Sequence, residues 1–191
     1  MVLPIYSHGN SVLKKDGEEV KNDHEGLEEL IDNMFDTMAA AGGIGLAAHQ
    51  VGIPIRLFVV DIAHYAEADE NLKDFRKVFI NSEVIEEGED MDVFEEGCLS
   101  FPGLHFSINR PTRVKMRYQD ENFDTHEEWL GKLAARVVLH EHDHTRGVVF
   151  SDKLAPLKRK MIKSKLDKIK RGDFVSSFKV KIAGKDGKRR N

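Results

Sequence analysis

The stretch His140-Glu-His-Asp-His144 combines residue types and a spacing that suit the binding of a metal ion. Residues four apart on a helix lie about 40° apart around its axis, so His140 and His144 can reach one ion from the same face. In H-E-x-x-H metalloenzymes the glutamate, here Glu141, takes a proton from a water whose pKa the metal has lowered from about 15.7 to around 7. His142 falls on the opposite side of such a helix and is expected to point elsewhere. The motif predicts a metal site, although two core histidines with satisfied hydrogen bonds would give the same pattern.

A catalytic site of this type needs a third protein ligand and one open position. The familiar extension with a third histidine six residues after the second has Phe150 there, and no glutamate follows His144 to serve instead. The one soft, anionic candidate is Cys98, the single cysteine of the chain. The glycine before it and the Pro-Gly pair after it favour a tight turn that presents the thiol to the helix. Cys98, His140 and His144 are therefore predicted to form the site, where coordination would hold the thiol as thiolate.

Three other interpretations stay open on these residues alone. A lone cysteine is often a small buried hydrophobic residue. A thiol hydrolase would use Cys98 as a nucleophile activated by His140 or His144, and its activity would survive chelators. A noncatalytic metal-binding or ribosome-binding protein would use the same residues structurally, but structural sites usually close with four protein ligands and the chain has no second thiol. Glu141 and the missing fourth ligand favour a catalytic metal site.

Hydrophobic periodicity predicts the helices that would position these residues. Apolar residues at three- and four-residue intervals indicate an amphipathic helix from Glu25 to about Ala40. Helical spacing returns after Trp129 and places the histidine pair on the core-facing side of a second helix. A final amphipathic helix with a lysine-rich outer face is predicted to stop near residue 172, and its apolar stripe consists of Leu154, Leu157, Met161, Leu166 and Ile169.

The predicted strands are rich in β-branched and aromatic residues or alternate between apolar and polar residues. They cover residues 55–62, 77–85 and 114–118, and the last continues through a turn at 119–122 into a strand at 123–129. No βαβ rhythm and no internal repeat is visible. The predicted fold class is therefore α+β.

Composition indicates one catalytic domain. The chain has 191 residues, 40% of them hydrophobic and 32% charged, which suits a single core. We expect residues 1–172 to form the catalytic domain and 173–191 a basic, partly disordered tail. One cysteine cannot form an internal disulfide, no secretory leader pattern opens the sequence, and no apolar run approaches the roughly 20 residues of a membrane helix. The expected location is the cytoplasm.

Charge is distributed unevenly along the chain. The net charge is −4, but residues from Lys153 to Asn191 contain 15 lysines and arginines and 3 acidic residues, a net of +12, which leaves −16 on the rest. A basic segment can approach nucleic-acid phosphates. A solvated helix face with a frayed terminus would have the same composition.

Three stretches together resemble the signature motifs of the peptide deformylase family. They are Gly43-Ile-Gly-Leu-Ala-Ala-His-Gln50, Glu96-Gly-Cys-Leu-Ser100 and His140-Glu-His-Asp-His144, in the family's order and with its ordinary spacing. The opening Val2-Leu-Pro-Ile5 is similar too. The resemblance covers roughly residues 1–155 and implies antiparallel sheets around a central helix that carries the histidine pair.

The resemblance also assigns roles to individual residues. It implies that Cys98, His140 and His144 hold one catalytic divalent metal with a water at the fourth position, and that Glu141 is the general base and later the acid. It implies that the side-chain amide of Gln50 and the backbone N–H of Leu99 stabilise the negative oxygen that develops in the reaction. Substrate binding falls to Ile44, Gly45, Phe94, Leu133 and Val137.

The implied reaction removes the formyl group from the N-terminal formylmethionine of newly made polypeptides and releases formate. Fe²⁺ is the metal that the family favours, although a nitrogen and sulfur ligand set also accepts Zn²⁺, Ni²⁺ or Co²⁺ in a purified sample. The expected partners are formylated nascent peptides and, through the basic C-terminal helix, the ribosome. No membrane or DNA partner is expected.

Overall fold

A five-stranded antiparallel sheet lies at the centre of the fold, with a helix against each face. The structure is a computed structural model that describes residues 1–184. The elements are, in chain order, β1 (Ile5–Tyr6), α1 (Leu27–Ala40), β2 (Gly45–Ala47), β3 (Leu57–Asp61), β4 (Arg76–Glu87), β5 (Met91–Gly97), β6 (His105–Pro111), β7 (Arg113–Gln119), β8 (Thr125–Gly131), α2 (Lys132–Thr145), α3 (Pro156–Met161), α4 (Lys163–Arg171) and β9 (Val180–Lys181).

The central sheet has the strand order β2-β3-β4-β7-β8, and every neighbouring pair is antiparallel. Strand β3 is buried on both faces because successive side chains point to opposite sides of a sheet. Leu57 and Val59 pack in one hydrophobic cluster with α1, while Phe58 and Val60 pack in another with α2. The continuous apolar run of β3 is thus explained by its place between two helices.

Helix α1 packs through the apolar stripe that predicts it. Leu27, Ile31, Met34, Phe35 and Met38 are all buried. The predicted start at Glu25 is two residues early, because Gly26 is left-handed at φ 74° and the helix begins after it. The stripe determines which face of the helix is buried.

Helix α2 follows β8 without a loop and crosses the sheet face over β2 and β3. The junction needs Lys132 in a left-handed conformation at φ 51°, and its backbone N–H donates to the Thr112 carbonyl at 2.7 Å. Ala134, Ala135 and Val138 are buried against the sheet. Their small size lets α2 lie close to the strands, which buries the C-terminal half of the helix where the histidine pair lies.

Strands β5 and β6 form a separate antiparallel hairpin that the sequence patterns did not predict. Met91, Val93 and Phe94 of β5 are each more than half exposed, so no apolar and polar alternation marks this strand. The turn between the two strands contains Cys98, and Gly97 pairs with His105 at its base. Helix α2 contacts β6 as well as the central sheet, so antiparallel sheets surround the predicted histidine helix and the α+β class is confirmed.

The predicted final helix is divided into α3 and α4 at Ile162. Leu157 and Met161 are 71% and 74% exposed, so the prediction that both belong to a packed apolar stripe was wrong. Ile169 of α4 is buried in a third cluster together with Phe101 and Phe150. Helix α4, not α3, therefore packs this end of the chain against the body.

Residues 173–184 also pack against the body of the protein. Val180 and Lys181 of β9 form a parallel pair with Ile5 and Tyr6 of β1, the one parallel pair among the strands of residues 1–184. Backbone hydrogen bonds of β9 thus connect part of the expected tail to the N-terminus, while the division of the chain at residue 172 stays a prediction. The rest of the predicted basic, partly disordered tail, residues 185–191, lies outside the described residues. Across residues 1–184 we find no helix with the length and apolar character needed to cross a membrane.

Candidate metal centre

Cys98, His140 and His144 converge, and their ligand atoms lie within 4.8 Å of one another. Cys98 Sγ is 3.3 Å from His144 Nε2, and the two imidazole rings have centroids 5.2 Å apart. Sulfur and nitrogen ligands around one tetrahedral metal lie roughly 3.5 Å apart, given metal bonds of about 2.0–2.3 Å. The three ligand atoms therefore need only small adjustments to hold an ion.

Glu96 fixes the orientation of His140. His140 Nδ1 lies 3.0 Å from Glu96 Oε2, which leaves Nε2 as the nitrogen available to a metal. Burial alone would raise the pKa of Glu96, but hydrogen bonds from His140 and Arg110 outweigh it and lower that pKa to about 2. Glu96 is therefore a carboxylate at neutral pH and accepts the Nδ1 proton of His140.

A buried ion network extends from Glu96 across the back of the site. Arg110 donates to Glu96 from Nε at 2.7 Å and from Nη2 at 3.1 Å, and its Nη1 donates to Asp143 Oδ2 at 2.8 Å. Arg136 Nη1 donates to Glu96 Oε1 at 2.8 Å. Sequence reasoning missed this network, because only Glu96 lies in a recognised motif and its cationic partners come from two other elements. A signal was present in the acidic residue two positions before the predicted ligand Cys98.

His144 provides a further indication that the group suits a cation. Its Nε2 faces Cys98, while its buried Nδ1 has no hydrogen-bond partner among residues 1–184. Burial and the neighbouring His140 lower the pKa of His144, so its imidazole is neutral and able to bind a metal. Burial lowers the pKa of His140 too, but hydrogen bonds with Cys98 and Glu96 raise it overall. Neighbours that favour a proton on His140 also favour a metal cation beside it.

Glu141 lies beside the ligands in a dry position. It is 4% exposed, and its Oε2 has no hydrogen-bond partner within the described part of the chain. Burial raises the pKa of Glu141 to about 7, against the opposing charges of His140 and Arg110. A side chain at position 45 would collide with it, since a Cβ on Gly45 would lie 2.6 Å from Glu141 Oε1. The glycine of the first motif thus leaves room for the glutamate of the third.

Gln50 presents its amide nitrogen to the cysteine. Gln50 Oε1 accepts from the Ala47 N–H at 2.8 Å, which turns Nε2 toward Cys98 Sγ at 3.6 Å and Ser100 Oγ at 3.4 Å. The backbone N–H of Leu99 makes no hydrogen bond to another residue of 1–184. Both groups can therefore donate to an oxygen that forms next to Cys98.

A cavity of about 510 Å³ opens onto this group. All of the predicted substrate-binding residues line it, as do Glu141, Gln50, Leu99, Cys98 and His140. The substrate-binding set consists of Ile44, Gly45, Phe94, Leu133 and Val137. Of the predicted metal ligands, His144 lies behind the cavity wall, where it is 1% exposed.

His142 does not join the group, as its position on the helix predicts. Its Nδ1 lies 2.9 Å from Ser82 Oγ on β4. The predicted catalytic and substrate-binding residues thus border one cavity, while this third histidine of the motif faces the central sheet.

The sequence matches a known protein family over most of its length. The family model for polypeptide deformylase matches residues 2–160. A peptide deformylase from Christiangramia forsetii is 45% identical over 189 residues, which are 95% of this chain and 96% of that protein. One from Flavobacterium psychrophilum is 43% identical and covers 97% of this chain and 99% of that protein.

Solved structures show the same similarity. The crystal structure of a peptide deformylase from Legionella pneumophila superposes with a TM-score of 0.78 at 38% sequence identity, and the match covers 91% of this chain and 98% of that one. The similarity thus extends to the whole fold as well as to the three motifs.

Proposed function

The chain belongs to the polypeptide deformylase family, hydrolases that remove the N-formyl group from new peptides, and we propose that its Cys98, His140 and His144 hold the catalytic metal. The observation that carries the proposal is the convergence of one sulfur and two imidazoles within 4.8 Å on a cavity that also contains Glu141. When bound, a divalent metal supplies Lewis-acid polarisation and lowers the pKa of the attacking water.

Glu141 serves as the proton carrier of the reaction. It takes a proton from the water as the water oxygen bonds to the formyl carbon, and it gives that proton to the peptide nitrogen as the C–N bond breaks. Formate and a free amine result. Burial supports this role, because a carboxyl group whose pKa is raised to about 7 can both accept and release a proton near neutral pH.

Gln50 and Leu99 stabilise the oxygen of the formyl group as it becomes negative. The Gln50 amide is already oriented by its bond from the Ala47 N–H, so it does not have to reorganise during the reaction. The backbone N–H of Leu99, which has no hydrogen-bond partner within residues 1–184, supplies the second hydrogen bond. Two fixed donors next to the reacting carbon favour the tetrahedral state over the planar substrate.

The methionine side chain enters the apolar part of the cavity. Ile44, Leu133 and Val137 are partly or fully buried there, and Phe94 is 57% exposed at the rim. Gly45 brings its backbone next to the peptide main chain. An apolar pocket of this size selects methionine through the burial of its unbranched side chain.

The metal is Fe²⁺ and the site of action is the cytoplasm, where formylated chains leave the ribosome. A ligand set of one thiolate and two imidazoles supports iron but also binds Zn²⁺, Ni²⁺ or Co²⁺. Helices α3 and α4 dock on the ribosome. The support is their run of exposed lysines together with Leu157 and Met161, two exposed apolar side chains one helical turn apart on α3.

Release of formate from a formyl-Met-Ala-Ser peptide under anaerobic conditions tests the activity. We expect release with Fe²⁺ and its loss after dialysis against a chelator, with recovery on adding Fe²⁺. Activity that survives complete metal removal would instead favour Cys98 as a nucleophile. No release with any of the four metals would reject the proposed function.

A substitution of Glu141 separates proton transfer from metal binding. Glu141→Gln should lower kcat about 10²–10⁴-fold while the metal content stays at one per chain, because the amide cannot carry the proton. Elemental analysis of the purified variant provides the control. Equal activity of the variant and the wild type would remove Glu141 from the mechanism.

Charge reversal tests the ribosome contact without disturbing the cavity. The triple variant Lys160→Glu, Lys163→Glu and Lys165→Glu should cosediment less with ribosomes. The cosedimentation that remains should also depend less on salt, because fewer phosphate contacts release fewer counterions. Activity on a short formyl peptide should stay unchanged, since these exposed lysines lie outside the cavity lining. Unchanged cosedimentation would exclude this surface.

A further inference from the structure

Residues 173–184, here called the C-terminal strap, form one wall of the cavity. Val175, Ser176, Ser177 and Phe178 line the same 510 Å³ space as Glu141, Cys98 and His140. None of the three sequence motifs includes them. We propose that the strap contacts the substrate residues that follow formylmethionine and favours apolar side chains there. This inference rests on the proposed function, because it assumes that a formylated peptide occupies the cavity.

The strap is fixed at its first end by helix α4. The helix closes at Gly172, which is left-handed at φ 81°, and the Asp173 N–H donates to the Lys168 carbonyl at 2.9 Å. Phe174 then packs on the cluster that contains Phe101 and Leu104. The strap therefore lies against the turn that follows Cys98.

The other end is fixed by the N-terminus. The Ile5 N–H donates to the Lys179 carbonyl at 2.9 Å, and the Ser7 N–H donates to the Lys181 carbonyl at 3.0 Å. Asn10 Nδ2 donates to the same Lys181 carbonyl at 3.0 Å. With both ends held, residues 175–178 form a positioned segment instead of a free tail, which reduces the entropy lost when a peptide contacts it.

Two of the four strap residues that line the cavity, Val175 and Phe178, have apolar side chains. Val175 is 95% exposed, although the segments on both sides of it are packed. Phe178 is partly buried, and its backbone N–H and C=O are both bonded to Ser176 Oγ, at 3.2 and 3.0 Å. An apolar side chain held in water next to a binding cavity gains free energy when a ligand covers it.

The location of the strap indicates which part of the substrate it meets. The methionine-binding residues Leu133 and Val137 belong to the core cluster around α2, whereas Phe174 of the strap belongs to the separate cluster behind the Cys98 turn. The two parts of the cavity lining are thus built on different cores. When the methionine of a peptide lies against Leu133 and Val137, the residues that follow it lie against the strap.

The test uses two formylated peptides of equal length, formyl-Met-Ala-Leu-Leu and formyl-Met-Ala-Ser-Ser. Their dissociation constants are measured by calorimetry on metal-loaded protein carrying Glu141→Gln, so that neither peptide is consumed. Formate release by protein with the native Glu141 is measured in parallel. We expect the leucine peptide to bind more tightly than the serine peptide. Adding Val175→Asp should reduce the ratio of the two dissociation constants about fivefold, because the valine would no longer cover apolar area of the peptide.

Lys179→Ala is the matched control, because Lys179 is an exposed strap residue that does not line the cavity. The Lys179→Ala variant should keep the preference for the leucine peptide. Because Val175 is 95% exposed, the Val175→Asp variant should keep the wild-type melting temperature. Equal affinities for the two peptides, or a preference that Val175→Asp leaves intact, would overturn the inference. Failure of formate release with the affinity difference retained would reject the deformylase activity alone.

Discussion

Glu96 and Glu127 each bond to cationic side chains on neighbouring strands, yet their surroundings differ. Glu96 accepts two hydrogen bonds from Arg110, and the side chains of this pair are 5% and 4% exposed. Glu127 on β8 pairs with Arg117 at 2.9 Å and Lys115 at 2.7 Å, and its own side chain is 34% exposed. Both glutamates have a lowered pKa. Burial would raise the pKa of Glu96, but hydrogen bonds from His140 and Arg110 outweigh it. Hydrogen bonds from Lys115 and Arg117 lower the pKa of Glu127.

The difference shows how burial determines what an ion pair does. Water screens the Glu127 group, so its partners can separate at little cost. Water does not reach the Glu96 group, so loss of Arg110 leaves the charges of Glu96 and Asp143 less well compensated in a region of low dielectric constant. The buried network orients a predicted metal ligand, His140, whereas the exposed one lies on the solvent side of the sheet.

The largest expected effect follows from removing Arg110. Arg110→Ala should lower the free energy of unfolding by about 3–5 kcal/mol, because Glu96 and Asp143 both lose a buried partner. Urea denaturation of the purified variant measures it. Arg117→Ala is the control on the exposed network, and its midpoint should move by only a small fraction of the Arg110 shift. Similar shifts for the two arginines would contradict the comparison.

A change at Glu96 should act mainly on the metal. Glu96→Gln removes the charge that orients His140 and should weaken metal affinity about 10–100-fold, as is usual when the residue behind a ligand is altered. Competition with a coloured chelator measures the affinity directly. Glu127→Gln removes the matching exposed carboxylate, and its affinity should equal that of the wild type. If Glu96→Gln binds the metal as tightly as the wild type, the buried ion network does not contribute to metal affinity.

The smallest expected effect is a pH dependence on the exposed side. Burial would raise the pKa of Glu128, but hydrogen bonds from Lys77 and Tyr118 outweigh it and lower the pKa below the ordinary 4.5. The stabilisation that the Glu128 carboxylate gives the folded state is therefore fully present above pH 4.5. It is lost as the pH falls through the pKa of Glu128 in the folded protein. Since the Glu128 side chain is 37% exposed, the contribution should stay under about 1 kcal/mol.

Unfolding of wild type and Glu128→Gln between pH 7 and pH 3 checks this sign. The free energy of unfolding should be higher for the wild type at pH 7, and the difference should shrink below pH 4.5. A difference that grows on acidification would show that Glu128 is destabilised, not stabilised, by its neighbours.

Periodic elements were predicted well, and elements without a period were not. The stripe of α1 and the histidine helix follow from 3.6-residue spacing, so α1 was placed to within two residues of its start. The β5–β6 hairpin was missed because its exposed apolar residues break the alternation. Leu157 and Met161 fit a helical stripe but point to solvent, since a stripe predicts an apolar face without supplying the surface that covers it.

The sequence by itself determined the chemistry that is available: a histidine pair set four apart by the helix, an adjacent glutamate, and one thiol. The tertiary structure alone decided which distant groups meet them. Cys98 and His144 are 46 residues apart, Glu96 and His140 are 44 apart, and Ser7 and Lys181 are 174 apart. Spacing along the sequence cannot predict such contacts. They depend on the packing of the cluster around α2, on the cluster behind the Cys98 turn and on the pairing of β1 with β9.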